Sequence, residues 1–130
     1  MKKNKGFTLI ELLAVIIILG LISVVSVVAI TKIVKNARNQ EIKQQKKVVE
    51  LATESYLQYN KGKIPKKAGT ANAVKIYLSE LKTKKFLEDD VKNPNGESCM
   101  TESYVTVTKV NENDNQYTYV ATLICGGQTI

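Results

Sequence analysis

Histidine is absent from the 130 residues. The usual general base at neutral pH and the commonest metal ligand are therefore missing. Cysteine is scarce, with only Cys99 and Cys125, and these stand at no catalytic spacing. Together these absences leave an enzyme reading without support, and no cofactor or metal set is expected. Proline is missing until Pro65, so no residue forbids a long helix before it. Charge is missing from Leu12 to Ile30, a run of 19 residues. There is no internal repeat and no low-complexity stretch. The length leaves room for one small domain beside an apolar segment, and small cores often need a covalent staple.

The apolar run begins at Phe7 and carries one acid, Glu11. Before it stands a short basic leader with Lys2, Lys3 and Lys5, ending in Gly6. About 20 apolar residues in a helix cross a bilayer core. A secretory signal peptide has a shorter apolar region, roughly 7–15 residues, and a small-residue cleavage site. This run is longer and leads into Thr31-Lys32-Ile33-Val34-Lys35 with no such site. A plain signal anchor accounts for the length and the lysines, but leaves Glu11 and the Gly6-Phe7 junction without meaning. An ionised carboxylate in hydrocarbon costs roughly 2.5–3.5 kcal/mol on insertion scales. Glu11 either snorkels to the headgroups or asks for a cationic partner.

The segment Lys5-Gly6-Phe7-Thr8-Leu9-Ile10-Glu11-Leu12 resembles the cleavage and methylation segment of type IV prepilins and type II secretion pseudopilins. The resemblance is close over residues 1–30 and looser beyond. It implies cutting between Gly6 and Phe7 by a prepilin peptidase, then N-methylation of the new Phe7 amine. It also implies a cytoplasmic N-terminus. The charges alone leave orientation open, because Lys32, Lys35 and Arg38 flank the far end. Cutting places an ammonium one helical turn from Glu11, on the same face. In the family the acid is thought to meet the Phe amine of a neighbouring subunit. A buried charge is tolerated when paired and costly when alone, so Glu11 favours the polymer and selects register. The implied partners are further copies, other pilins, the peptidase, and an assembly platform with its ATPase. The chain departs from many relatives in having Gly20, and no Pro, in its apolar helix. Any bend inside a filament would begin near Gly20 or the Ser23/Ser26 region.

On that orientation everything after Ile30 lies outside the cytoplasm, where disulfides persist. A Cys99–Cys125 bridge is expected there, with two partly buried free thiols as the other reading. Net charge is +7, unevenly spread. Lys32 to Lys85 holds 14 basic and 4 acidic residues, whereas Phe86 to Ile130 holds 2 and 7. A basic neck and an acidic C-terminal half attract each other in a stack of identical subunits. The basic stretch, with Lys43, Lys46, Lys47, Lys61, Lys63, Lys66 and Lys67, offers phosphate contacts for DNA. It lacks interleaved aromatics for stacking, and a solvated basic face is the simpler reading.

The apolar helix is expected to continue through Thr31 to Asn60, with Val48, Ala52, Tyr56 and Tyr59 in the stripe that packs under a head. Lys61-Gly62 is the expected stop, with Pro65 beyond it. Val74–Leu78 is extended or helical. Ser79 caps a short helix that points Leu78, Leu81 and Phe86 or Leu87 inward. Asp89, Asp90, Asn93, Asn95 and Glu97 form a turn-rich loop of oxygen ligands. Its spacing is no recognised calcium loop, and an ordinary turn is preferred. Tyr104–Val110 and Gln116–Cys125 alternate as two strands joined by a loop at 111–115.

The expected fold is α+β: a long N-terminal helix packed against a small C-terminal antiparallel sheet. The expected division is leader 1–6, membrane and assembly helix 7–30, stalk 31–60 and head 61–130. The expected function is a filament subunit, held by one membrane span and then extracted to the cell surface. Adhesion or motility, DNA uptake and protein secretion stand open as its use. The other reading is a single-span membrane protein with a small binding head.

Overall fold

The apolar run from Leu9 to Ile30 and the polar stretch beyond it form one continuous helix, α1 (Leu9–Tyr59). The computed structural model describes residues 5–130; residues 1–4, with the leader lysines Lys2 and Lys3, lie outside the described residues. By its internal contacts the chain divides into two units, Met1–Arg38 and Asn39–Ile130.

In the first unit every described side chain is exposed. α1 has a window of mean hydropathy 3.1 within it, long and apolar enough to cross a membrane. Its few hydroxyls turn inward on the helix itself. Ser23 Oγ donates to the Leu19 carbonyl at 2.6 Å, Ser26 Oγ to Ile22 at 2.9 Å and Thr31 Oγ1 to Val28 at 2.9 Å. In hydrocarbon, where water cannot satisfy polar groups, such back-bonding removes the cost of carrying them. The helix is unbroken through Gly20, Ser23 and Ser26.

The second unit buries the other end of α1 under a sheet. Val49, Ala52, Thr53, Tyr56 and Leu57 are the buried positions, at the three- and four-residue steps of one helix face. The expected stripe was one residue out at its start and too long at its end. Val48 is 58% exposed and Tyr59 81% exposed, while Val49 is fully buried. The helix ends without a left-handed glycine. Asn60 Nδ2 donates to the Tyr56 carbonyl at 3.1 Å, and Gly62 is not among the residues with positive φ.

The sheet has three antiparallel strands, β1 (Val74–Tyr77), β2 (Tyr104–Lys109) and β3 (Tyr117–Thr122), in the order β1-β2-β3. Ile76 faces Val105, and Val105 faces Ala121, so one row of small apolar side chains crosses the sheet toward α1. Glu50 on α1 accepts the Ala121 N–H at 3.2 Å. The segment Val74–Tyr77 resolves as a strand, and helix α2 (Leu78–Thr83) follows it with no intervening loop. Tyr77, not Ser79, is the N-cap of α2 and makes no side-chain cap bond. The reason is tertiary: Leu78 N–H donates to the Ser103 carbonyl at 3.1 Å, which holds the strand register up to the helix start. Leu78, Leu81 and Leu87 are buried, as expected, and Phe86 packs half-buried on the core.

The last expected strand splits. β3 stops at Thr122, and a separate hairpin forms from β4 (Ile124–Cys125) and β5 (Gln128–Thr129). Gly126 (φ 58°) and Gly127 (φ 79°) make its turn. A two-residue turn with both φ positive matches the twist of the flanking strands and favours Gly-Gly. Ser103, fully buried, joins this hairpin to β2: its Oγ accepts the Ile124 N–H at 2.8 Å.

Candidate functional site

The N-terminal segment is built by the way α1 begins. Residues 5–8 are non-helical and exposed, and α1 starts at Leu9. Thr8 Oγ1 accepts the Glu11 N–H at 3.3 Å, and a Glu11 carboxylate oxygen accepts the Thr8 N–H at 3.2 Å. The Thr8 carbonyl accepts the Leu12 N–H at 3.2 Å, which makes Thr8 the N-cap and Glu11 the third helical residue. This is a reciprocal capping box, in which two otherwise orphaned backbone donors are satisfied. Its signal in the sequence is a Thr followed three residues later by a Glu at the start of an apolar run. The negative carboxylate also sits at the positive end of the helix dipole. Glu11 is therefore partly satisfied within the single chain.

Lys5, Gly6, Phe7, Thr8 and Glu11 line one open cleft of about 380 Å³. The structure thus brings Gly6, Phe7 and Glu11 together. The Gly6–Phe7 bond lies in the exposed stretch before the helix; nothing approaches a Cβ built on Gly6, and Phe7 is 89% exposed.

Residues 1–30 match the family model described as the prokaryotic N-terminal methylation motif. The chain carries the hallmark of type IV pilins and pseudopilins. This motif points to a structural protein that assembles into pilin-type polymers. With the apolar helix, it fits a membrane-anchored prepilin that becomes a surface filament. No curated protein and no solved structure matches the chain.

The other residues singled out in the sequence separate into distinct places. Cys99 and Cys125 are joined by a disulfide, both buried, 26 residues apart. The loop of oxygen ligands is turned upon itself. Asn93 Oδ1 accepts the N–H groups of Asn95 at 3.1 Å and Glu97 at 2.8 Å, and Asn93 Nδ2 donates to Glu97 at 2.7 Å. Asp90 lies 3.4 Å from Lys82. Among the described residues no group of three or more Cys, Asp or Glu is placed to hold a metal ion.

Of the basic residues, Lys63, Lys66 and Lys67 line an open groove beside β1 together with Lys75. Lys63 is engaged: it pairs with Glu80, whose carboxylate also accepts the Tyr56 hydroxyl at 2.6 Å. The Lys63 bond, then the Tyr56 bond, hold the Glu80 carboxyl below its ordinary range. Burial, then the Glu80 bond, push the Tyr56 phenol up. Lys75 stands over the Tyr104 ring at 4.3 Å from its centroid, and Tyr77 packs edge-on against that ring. Sequence reasoning named neither cluster, because Glu80 lies 17 and 24 residues from Lys63 and Tyr56, and Tyr104 lies 27 and 29 residues from Tyr77 and Lys75.

Proposed function

We propose that this chain is the structural subunit of a type IV pilus or pseudopilus filament. It is made as a prepilin, cut between Gly6 and Phe7, N-methylated at Phe7, and assembled by packing of apolar helices. The single observation that carries this reading is the methylation motif over residues 1–30 at the head of a helix whose apolar side chains find no cover in the lone chain. From Leu9 to Ile33 those side chains are more than half exposed, a state that water does not tolerate. A bilayer covers them first and neighbouring helices cover them later.

Within this reading, residues 1–6 are the leader, 7–30 the membrane and assembly helix, 31–60 its continuation and 61–130 the head. The N-terminus is cytoplasmic before assembly. Cutting releases a Phe7 ammonium, and Glu11 pairs with that group of a neighbour as the subunit enters the filament. The partners are further copies and other pilins, the prepilin peptidase, and the platform and ATPase that drive extraction. The role is mechanical, without catalysis; adhesion or motility, DNA uptake and secretion are its three candidate uses.

The test is the mass of the mature protein from a host with an active prepilin peptidase. Loss of Met1–Gly6 plus gain of one methyl group is expected. An intact N-terminus would return the chain to a single-span membrane protein with a binding head.

A further inference from the structure

The unit Asn39–Ile130 carries a groove of its own. One wall is α1 from Glu41 to Val48, the other is the segment Phe86–Val91, and the space between is about 600 Å³. The floor is apolar, with Val48 58% exposed and Phe86 half-buried, although Val49 beside it is fully buried. The rim is acidic: Glu41, Glu88, Asp89 and Asp90. Asp90 is balanced by Lys82 at 3.4 Å. Glu41, Glu88 and Asp89 have no cation within 4.0 Å among the described residues. On the same wall, Gln45 Oε1 is buried with no hydrogen-bond donor.

An apolar floor with an unbalanced acidic rim fits a helix that is both basic and apolar. One segment of this chain has that character. Lys32, Lys35 and Arg38 recur every three residues on one side of α1, without a carboxylate within 4.0 Å. At the edge of that side, one turn before Arg38, Val34 is 43% exposed. The other basic stretch, Lys61–Lys67, fits less well. Its Lys63 is engaged by Glu80, its Ile64 packs on the core and its Pro65 is buried.

We propose that the groove between Glu41–Val48 and Phe86–Val91 docks the Lys32–Arg38 segment of a second copy of this chain. The inference rests on the filament reading and names one of its contacts. Such a contact joins two different surfaces, so it is heterologous and propagates copies instead of closing a pair. The charges set register and speed of encounter, while Val34, one turn before Arg38 on the edge of the basic side, supplies apolar burial on Val48 and Phe86.

Carbodiimide joins a lysine to a carboxylate that touches it, and it reports the contact directly. The full chain is co-produced in light- and heavy-nitrogen forms, and membranes and sheared filaments are both treated. Peptides linking Lys32 or Lys35 to the Phe86–Val91 segment, one light and one heavy, are expected. The Lys82–Asp90 pair, within one copy, is the internal control. In parallel, Glu88→Lys with Asp89→Lys should lower filament yield about tenfold, and adding Lys32→Glu with Lys35→Glu should restore it. All four positions are exposed, so the disulfide and the helix content report whether the fold is kept. Filaments whose control link forms without any light–heavy link overturn the docking and leave the filament reading standing. Links confined to one isotope overturn it as well. If the unmodified chain forms no filaments, the filament reading falls. A light–heavy link in those membranes then still supports the docking, and its absence overturns it.

Discussion

Thr8 and Glu11 cap each other at the start of α1, each side chain bonding the other's backbone N–H, at 3.3 and 3.2 Å. Glu11 thereby has two duties, as a hydrogen-bond acceptor for its own helix and as an anion for a neighbour. Glu11→Gln separates them, because the amide oxygen keeps the cap but carries no charge. We expect normal cleavage and membrane insertion with few or no filaments, scored by electron microscopy of sheared material. Thr8→Ala should cost about 1 kcal/mol at the helix start, seen as faster hydrogen exchange at the Glu11 amide. Abundant filaments from Glu11→Gln would reduce Glu11 to a capping residue.

The Cys99–Cys125 bridge closes a 26-residue separation across a core with few layers. In the chain-entropy account a loop of that size is worth about 3.5 kcal/mol. Replacing both cysteines by serine should move the urea midpoint of the detergent-held chain accordingly. A change below about 1 kcal/mol would mean that the unfolded chain is already compact in this region.

Tyr56, Lys63 and Glu80 make stability depend on pH at both ends. Glu80 titrates below its ordinary value of 4.5 because Lys63 and Tyr56 bond its charged form. The folded chain thus binds fewer protons there, and the contribution is present above about pH 4.5 and lost as pH falls through the lower folded value. Lys63, raised by the same bond, and Tyr56, raised chiefly by burial, bind more protons folded. Their contributions are present below pH 10.5 and 10.0 and are lost above. Glu80→Gln should flatten the acid limb of a urea-midpoint profile below pH 4.5. Tyr56→Phe should cost about 1 kcal/mol near neutrality.

Val48 and Val49 are adjacent and chemically identical, yet one is on the groove and the other in the core. Val49→Ala should destabilise the fold by about 2 kcal/mol through lost burial and a cavity. Val48→Ala should leave the urea midpoint unmoved and act only on assembly. Equal effects on stability would contradict the helix register described for residues 49–57.

The leader junction and the apolar run with its single acid are contiguous in the chain, so sequence alone carried them; the capping box is equally local, yet it came from the structure. Short-range rules suffice there: a span is set by length and hydropathy, and a cap by a spacing of three. The strand pair 104–110 and 116–125 was legible for the same reason, since alternation is local. What sequence could not decide required partners far along the chain. The choice of Val49 over Val48 depends on which helix face meets Val105, Val107 and Leu123. The strand state of Val74–Tyr77 depends on β2, and the Tyr77 cap on Ser103. The split of the final strand depends on Ser103 holding Ile124 while Gly126 and Gly127 turn the chain. Even the pairing of Glu80 with Lys63 and Tyr56 exists only because α2 lies against the end of α1. Periodicity names candidates for burial; only the assembled core, where each position excludes water from another, selects among them.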